Sequence, residues 1–209
     1  MTLTKYGHSC VLIDDGRTKI LFDPGSWSDI PDIAVDAIVI THIHGDHIDM
    51  KKHGKLFASA PRIITQSEVK VELDRHQVAN EIVEDGESVM VGSMTLAGVG
   101  SDHAIIHPNL PKFRNTGYLV DGKIFHPGDN LTVPAEPVET LLLPIVAPWS
   151  KVEETMNYVS SVQPKRAFAI HDGFINSEGH ALFAHFGSVM ASQNGMEFIQ
   201  PELGKIYEI

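Results

Sequence analysis

Cysteine, basic residues and long apolar runs are all scarce in this sequence. Cys10 is the only cysteine, so no disulfide can form within the chain, as is typical of proteins in a reducing compartment. No apolar run approaches the roughly 18–20 residues that a membrane-crossing helix needs. The opening MTLTKYGHSC lacks the basic-then-apolar order of a signal peptide. These absences predict a cytoplasmic protein with no membrane partner.

Positive charge is the second shortage. The chain has 16 Lys and Arg residues against 27 Asp and Glu residues, which gives a formal net charge of −11. A surface this acidic repels the phosphate backbone of nucleic acids unless a local basic patch overrides it. We therefore expect no nucleic-acid partner. Lys112 and Arg114 are the only basic pair near the motifs described below, and they could meet an anionic substrate or be solvated loop charges.

The composition is that of a globular protein with a sizeable core. The 209 residues are 43% hydrophobic, and we expect a single domain over residues 1–209. The segments CVLID and KILFD, separated by DGRT, predict a β-hairpin, and the run AIVIT predicts a strand buried on both faces. Helices are predicted around residues 50–58 and in QSEVKVELDRH, KVEETMNYVSSV and ALFAHFGSVMASQ. Periodicity alone therefore predicts mixed α and β content.

Histidine is abundant, with 12 copies in the chain. The densest group is HIHGDH, which directly follows the predicted strand AIVIT. Residues two apart in an extended segment point the same way, so His42 and His44 present their imidazoles to one side. Gly45 permits a sharp turn, after which Asp46 and His47 can point back toward the same region. This spacing predicts a metal site.

The residue types in HIHGDH suit a transition metal. Three imidazoles and one carboxylate within six residues are ligands for zinc or another first-row metal. One ion rarely takes four such close neighbours from a loop, so the group indicates two ions that share it. The alternative is a solvated histidine-rich loop. The position after a buried strand favours the metal site, because α/β proteins usually place their sites there.

The segment HIHGDH resembles the H-x-H-x-D-H motif of the metallo-β-lactamase superfamily. The other motifs of that superfamily occur in their usual order before and after this segment and cover nearly the whole chain. They are Gly7-His8-Ser9, the hairpin ending in Phe22-Asp23-Pro24, His103 after TLAGVG, Gly128-Asp129 in HPGDN, and His171 at the end of RAFAIH. The resemblance implies an α/β fold of four layers, an α/β/β/α sandwich.

The resemblance also implies a dinuclear metal centre. The implied ligands are His42, His44 and His103 for the first ion, Asp46, His47 and His171 for the second, and Asp129 as the bridge. Two divalent ions that share a water lower its pKa far below that of bulk water, toward about 7. Asp46 could orient this nucleophile, and Asp23 would steer a ligand imidazole or a loop amide. Both are candidate catalytic residues. Zn²⁺ is the default ion, and Mn²⁺ or iron also suits such ligands.

Several neighbouring side chains keep more than one interpretation. His107 competes with His103 as the ligand of the third motif, although the position directly after the strand favours His103. His107 could instead line the substrate pocket or be exposed. His8 could bind substrate or be structural. Asp172 could support the neighbouring His171, contact substrate or be a turn acid.

Within the superfamily, the chain is most similar to compact metal-dependent hydrolases, which include ascorbate-6-phosphate lactonase-like and uncharacterised bacterial proteins. The segments GHSCVL, LLLPIVAPW and IHDGF carry this likeness. It implies hydrolysis of a small-molecule ester, lactone or phosphoester. One alternative is a phosphodiesterase or nuclease with a basic rim at Lys112 and Arg114. The other is a non-catalytic metal-binding protein. The predicted edge strands are compatible with a homo-oligomer.

Overall fold

The computed structural model describes residues 1–209 and contains 14 β-strands and four α-helices. The strands are β1 (Thr2–Gly7), β2 (Cys10–Asp14), β3 (Lys19–Phe22), β4 (Ala37–Val39), β5 (Ile63–Thr65), β6 (Glu81–Ile82), β7 (Ser88–Val91), β8 (Met94–Val99), β9 (Gly117–Val120), β10 (Ile124–His126), β11 (Thr140–Pro144), β12 (Arg166–Ile170), β13 (Glu197–Ile199) and β14 (Ile206–Glu208). The helices are α1 (Gly54–Ser59), α2 (Ser67–Arg75), α3 (Val152–Val162) and α4 (Ser177–Asn194). Each half of the chain thus has two helices.

The strands form two seven-stranded sheets. The first sheet has the order β14-β1-β2-β3-β4-β5-β6 and the second has the order β13-β12-β11-β10-β9-β8-β7. In the first, β1 to β3 are antiparallel and β3 to β6 are parallel. In the second, β7 to β10 are antiparallel and β10 to β13 are parallel. The two halves of the chain therefore repeat one topology, and β14 returns to the edge of the first sheet.

The main core lies between the two sheets and follows from alternation along their strands. Successive side chains of a strand point to opposite faces. Ile20 and Phe22 of β3 join Val39 of β4 in the buried cluster that both sheets share. Leu21 and Ile38, on the same two strands, belong to a second cluster on the outer face. Apolar residues at every position of these strands therefore predict burial on both faces.

Helices cover the outer face of each sheet. Phe57 of α1 and Leu73 of α2 pack in the cluster that contains Leu21. On the second sheet, Val159 of α3 packs in a cluster with Leu141 of β11. Each sheet therefore lies between its partner sheet and a pair of helices. This arrangement confirms the predicted four-layer α/β/β/α sandwich.

Most elements lie where the sequence predicts them. The segments CVLID and KILFD form the antiparallel pair β2–β3, and β4 is buried throughout. The helix predicted around residues 50–58 begins later, at Gly54. The carboxylate of Asp49 accepts from the amides of Lys51 and Lys52, and such a local turn competes with helix formation. The short strand β6 was not predicted. Every helix falls short of the length and apolarity that would span a membrane.

Strand ends from both sheets meet at one edge of the sandwich. His8, Asp23 and His171 directly follow β1, β3 and β12. All three have a left-handed backbone, with φ of 46°, 46° and 60°. This conformation costs a non-glycine residue about 1 kcal/mol or more, and such residues often lie at functional sites. The left-handed turn ends each strand abruptly at the edge that carries the candidate site.

Candidate metal centre

The HIHGDH segment forms a tight loop beyond β4 that is fixed by the segment after β3. The Asp23 carboxylate accepts from the Thr41 amide at 2.9 Å and the Thr41 hydroxyl at 2.8 Å. The same carboxylate lies 2.7 Å from Nδ1 of His47. Gly25 passes so close that a Cβ there would overlap the carbonyl of Asp46. One buried aspartate and one close-packed glycine therefore determine the shape of the loop.

Three strand ends of the second sheet place one residue each opposite this loop. His103 follows β8, Asp129 follows β10 and His171 follows β12. The Asp129 amide donates to Oδ1 of Asn115 at 2.9 Å. Gly128, with a φ of 63°, packs against the same side chain, and a Cβ there would overlap it. The turn that presents Asp129 therefore requires glycine.

The predicted ligands come together in two adjacent groups. The first group is His42, His44, His103 and Asp129, and the second group is His8, Asp46, His47 and His171. Within each group, the candidate ligand atoms lie within 4.8 Å of one another. Asp129 also reaches the second group, since its oxygens lie 3.1 Å from Nε2 of His47 and 3.0 Å from Nε2 of His171. The structure thus brings all seven predicted ligands to one centre.

The hydrogen bonds of Nδ1 in three histidines determine whether Nε2, which faces the centre, carries a proton or a lone pair. The Nδ1 distances are 2.7 Å from His47 to the Asp23 carboxylate, 2.6 Å from His103 to the Ala104 carbonyl, and 2.7 Å from His171 to the Val146 carbonyl. Carboxylate and carbonyl oxygens can only accept, so each Nδ1 carries a proton and each neutral ring has its lone pair on Nε2. Three imidazole lone pairs therefore face Asp129.

Thr41 extends this pattern to His42. The Thr41 hydroxyl donates to Asp23, so its oxygen accepts from Nδ1 of His42 at 3.0 Å. The Nε2 of His42 is then also a lone pair that points to the centre.

Four buried atoms at this centre lack a hydrogen-bond partner. They are Nε2 of His42, His47 and His103, and Oδ1 of Asp129. Buried polar atoms are normally paired, and lone pairs that face a carboxylate repel it unless a cation lies between them. Protonating every ring would instead place several positive charges side by side. The residues therefore fit divalent metal ions, which neutral imidazoles and carboxylates bind.

Burial dominates the charge state of the imidazoles in the first group. It lowers the pKa of His42 well below its ordinary value and also lowers the pKa of His44. Neighbouring imidazoles act in the same direction. Both rings are therefore neutral near pH 7 and can offer lone pairs to a metal.

Carboxylates dominate the second group. Burial alone would lower the pKa of His47, but Asp129 and Asp23 outweigh it and hold the pKa well above its ordinary value. Burial raises the pKa of Asp46, but its hydrogen bond with His8 and the charge of His47 lower it to about 2. The negative charge that favours a proton on His47 favours a metal cation at the same place.

His8 belongs to the second group by distance but differs from it in hydrogen bonding. The Gly173 amide donates to Nδ1 of His8 at 3.1 Å, so the neutral ring carries its proton on Nε2. This nitrogen lies 3.2 Å from Oδ2 of Asp46. Burial lowers the pKa of His8 to about 4, which keeps the ring neutral. His8 therefore donates to Asp46, whereas the neutral rings of His42, His47, His103 and His171 present lone pairs.

His107 and Asp172, two candidate substrate-binding residues, lie outside the centre. His107 is exposed, and its Nδ1 accepts from the Asn109 amide at 3.2 Å. It lines a neighbouring cavity of about 180 Å³ and belongs to neither group, whereas its competitor His103 belongs to the first. The Asp172 carboxylate is buried against Lys5, with 2.6 Å between Oδ1 and Nζ. It contributes nothing to the lining of the cavity over the metal centre.

The basic pair of the sequence also lies away from the centre. Arg114 lies 3.5 Å from the carboxylate of Glu84, and Lys112 lines the same neighbouring cavity as His107. The cavity over the metal centre is lined by no lysine or arginine. The basic rim that a nuclease would need is therefore missing from its walls.

A cavity of about 290 Å³ opens over the centre. Besides predicted metal ligands, the cavity is lined by Trp27, Ile106, Pro148, Trp149 and Phe174. None of these five was predicted to be a site residue. Trp149 Nε1 donates to Oδ2 of Asp129 at 3.0 Å, so one wall residue also contacts a predicted ligand. The chain has only two tryptophans, and both line this cavity. That scarcity is the signal that could have identified them.

Known proteins resemble this chain over most of its length. The sequence model of a family described as beta-lactamase superfamily domain matches residues 2–171. Protein Rv0786c of Mycobacterium tuberculosis is 35% identical over 192 residues, covering 88% of this chain and 89% of that protein. A UPF0173 metal-dependent hydrolase of Carboxydothermus hydrogenoformans is 28% identical over 195 residues, covering 82% of this chain and 84% of that protein. The structure of Igni18, described as a novel metallo hydrolase from Ignicoccus hospitalis, has a TM-score of 0.77 at 19% identity and covers 100% of this chain and 98% of its own.

The two-sheet sandwich and its histidine- and aspartate-rich edge define a class of metal-binding α/β/β/α proteins. The chain belongs to the metallo-β-lactamase superfamily, because the family match spans residues 2–171, most of the chain. The resemblance first seen in HIHGDH is thereby confirmed. The likeness to Igni18, at 19% identity, supports the fold alone.

Proposed function

We propose that the protein is a hydrolase that uses water activated at a dinuclear metal centre to cleave a small-molecule ester, lactone or phosphoester. The observation that carries this proposal is the convergence of imidazole lone pairs on the buried carboxylate of Asp129. The name of the relative from C. hydrogenoformans, a metal-dependent hydrolase, supports it. We expect Zn²⁺, with Mn²⁺ or iron as alternatives for the same ligands.

The proposed ligands follow the geometry of the two groups. They are His42, His44 and His103 for one ion, Asp46, His47 and His171 for the other, and Asp129 for both. Bound ions of this kind acidify a coordinated water and polarise the bond under attack.

The other polar residues of the centre would position these groups. We propose that Asp46 accepts a hydrogen bond from the attacking water, while His8 restrains its carboxylate through the contact at 3.2 Å. Asp23 acts through His47 and Thr41, whose orientations it fixes. Asp46 is therefore the catalytic candidate, whereas Asp23 and His8 are positioning residues.

A small-molecule substrate is part of the proposal. The cavity of about 290 Å³ is at the small end of the range for ligand sites. The net charge of −11 and the lack of a basic cavity wall argue against a nucleic-acid substrate. The buried, unpaired Cys10 supports a cytoplasmic location.

Metal content tests the first half of the proposal. Elemental analysis of protein purified without chelators or a metal-affinity tag should give about two transition-metal ions per chain, in keeping with the two groups of ligands. About one ion would indicate a weak second site, and the analysis would then be repeated after addition of zinc or manganese. Protein that binds no metal under any of these conditions would overturn the proposal.

Turnover tests the second half. The metal-loaded protein should hydrolyse an ester or a lactone, lose this activity with a chelator and regain it when metal is returned. Bis(p-nitrophenyl) phosphate as the best substrate would favour the phosphodiesterase alternative instead. Two bound ions without turnover on any ester, lactone or phosphodiester would favour a non-catalytic metal-binding protein.

A further inference from the structure

The cavity over the metal centre has apolar walls that remain partly exposed. Trp27 and Phe174 are 48% and 45% exposed, although burying an apolar side chain of this size is favourable by about 1.5–3 kcal/mol. Ile106, Pro148 and Trp149 complete the wall. Large apolar side chains concentrated around one concave site are typical of ligand recognition. The cavity is therefore suited to an apolar part of a ligand.

The aromatic rings of the wall adjoin the candidate ligands. The Phe174 and Trp149 ring centroids lie 5.8 Å and 6.1 Å from that of His171. Trp27 lies 5.8 Å from Phe174. An apolar group that contacts these rings would hold the bond next to it at the metal centre.

The cavity offers no positive side chain to a phosphate group. The side chains that recognise phosphates are chiefly arginine and lysine, and divalent metal ions bind phosphate oxygens as well. Neither residue lines this cavity, and its polar lining includes the carboxylates of Asp46 and Asp129. A phosphate would therefore have only the metal ions as partners and would place its charge against an apolar wall, whereas an ester or lactone places no charge there.

We infer that the substrate is a carboxylic ester or lactone that carries an apolar group about the size of one aromatic ring and no phosphate. The inference rests on the proposed hydrolytic function and specifies its substrate class. An apolar cavity of roughly 150 Å³ suffices to bind benzene, so about 290 Å³ accommodates one ring and the ester group. Water adds to the carbonyl carbon, the bond to the alcohol oxygen breaks, and one proton of the water passes to that oxygen. No further reactant is needed.

Matched esters test this inference. Methyl phenylacetate and methyl acetate share a leaving group and differ in the aromatic ring. We expect kcat/KM of the metal-loaded protein to be about tenfold to a hundredfold higher for methyl phenylacetate, on the order of what one buried ring contributes. 4-Nitrophenyl phosphate should be a poorer substrate than 4-nitrophenyl acetate. Equal rates for the two methyl esters, or preference for the phosphate, would overturn the inference.

A pair of variants locates the effect. Phe174→Ala should reduce the preference for methyl phenylacetate about tenfold, because it removes one wall of the cavity. Leu182→Ala is the matched control, since Leu182 is 52% exposed on α4 and lies outside the cavity lining. An unchanged preference in Phe174→Ala would contradict the assignment of the wall.

Tryptophan fluorescence separates binding from turnover, because both tryptophans of the chain line this cavity. Phenylacetate should change the emission of the metal-loaded protein in a saturable way at concentrations where acetate and inorganic phosphate do not. If it does so while no ester is hydrolysed, the proposed function fails and the apolar site stands. If both methyl esters are hydrolysed equally and phenylacetate has no effect, the function stands and the inference fails.

Discussion

The two halves of the molecule contribute to the metal centre in different ways. The first half supplies four predicted ligands from one short loop beyond β4, at positions 42–47. The second half supplies three, each from the end of a different strand. Only the second half provides the carboxylate that reaches both groups, Asp129. The predicted ligands of the first half are therefore neighbours in one loop. Those of the second half come together only when the second sheet has formed.

The support of the ligands differs in the same way. Asp23 orients His47 and, through Thr41, also His42. His103 and His171 are instead oriented by backbone carbonyls. In the first half, the orientation of the histidines therefore depends on a side chain that a substitution can remove. In the second half, it depends on the conformation of the main chain.

Asp129→Ala removes the proposed bridging carboxylate, which the second half supplies, and should have the largest effect. We expect metal content to fall and hydrolytic activity to drop about a thousandfold or more, since several kcal/mol of transition-state stabilisation depend on the metal ions. Elemental analysis and kcat/KM on the best ester measure both changes. Asp32→Ala is the control, because Asp32 is exposed and belongs to neither group. Full activity in Asp129→Ala would exclude the bridging role.

Lys5→Met tests the buried ion pair that connects the two halves. Lys5 lies on β1 of the first sheet, and its partner Asp172 follows β12 of the second. Both are buried, so removal of one partner leaves an unpaired charge and should lower the free energy of unfolding by about 3–5 kcal/mol. Denaturant titration measures it. Lys19→Met should cost less than about 1 kcal/mol, since Lys19 is 47% exposed and lies 3.8 Å from Asp14.

The double variant Lys5→Met/Asp172→Leu sharpens the same test. Replacing a buried ion pair with apolar side chains of similar size is often neutral, so the double variant should regain most of the lost stability. If it is as unstable as Lys5→Met, the loss comes from packing at Lys5 and the ion pair is not its cause.

Asp23→Asn should have a smaller effect than Asp129→Ala and Lys5→Met. It tests the support of the ligands in the first half alone. Loss of a carboxylate that orients ligand histidines typically reduces metal affinity by about 10-fold to 100-fold. Competition with a chelator of known affinity measures the change. Thr41→Ser keeps the hydroxyl that links Asp23 to His42 and should bind metal like the parent protein. Unchanged affinity in Asp23→Asn would show that the loop is ordered without it.

The sequence predicts those features of the fold and the site that depend on neighbouring residues or on a periodic pattern. The run AIVIT predicts the fully buried strand β4 because its apolar residues are consecutive. HIHGDH indicates a metal site because its four ligand residues are neighbours. His103, Asp129 and His171 are isolated in the sequence, and only the order of the superfamily motifs identifies them. The layer order of the sandwich likewise follows from the resemblance, since alternation gives the strands but not their arrangement.

The features that the sequence leaves hidden depend on contacts between distant residues. Lys5 lies between the buried Thr4 and the partly buried Tyr6 on β1, and its role follows only from Asp172, 167 positions later. The tautomer of His8 depends on the Gly173 amide. The apolar cavity combines residues from separate loops, including Trp27 and Trp149. None of these pairings has a periodicity or a short motif that would predict it.

The order of the ligands along the chain has a consequence for the synthesis of the protein. The histidines of HIHGDH leave the ribosome early, whereas His171, which follows β12, is the last of the predicted ligands to be made. A nascent chain that has completed β4 therefore exposes a partial cluster that lacks the bridging carboxylate. The full ligand set exists only after β8, β10 and β12 have been made and paired in the second sheet. Binding by the full set of proposed ligands would thus require that the second sheet has formed as far as β12.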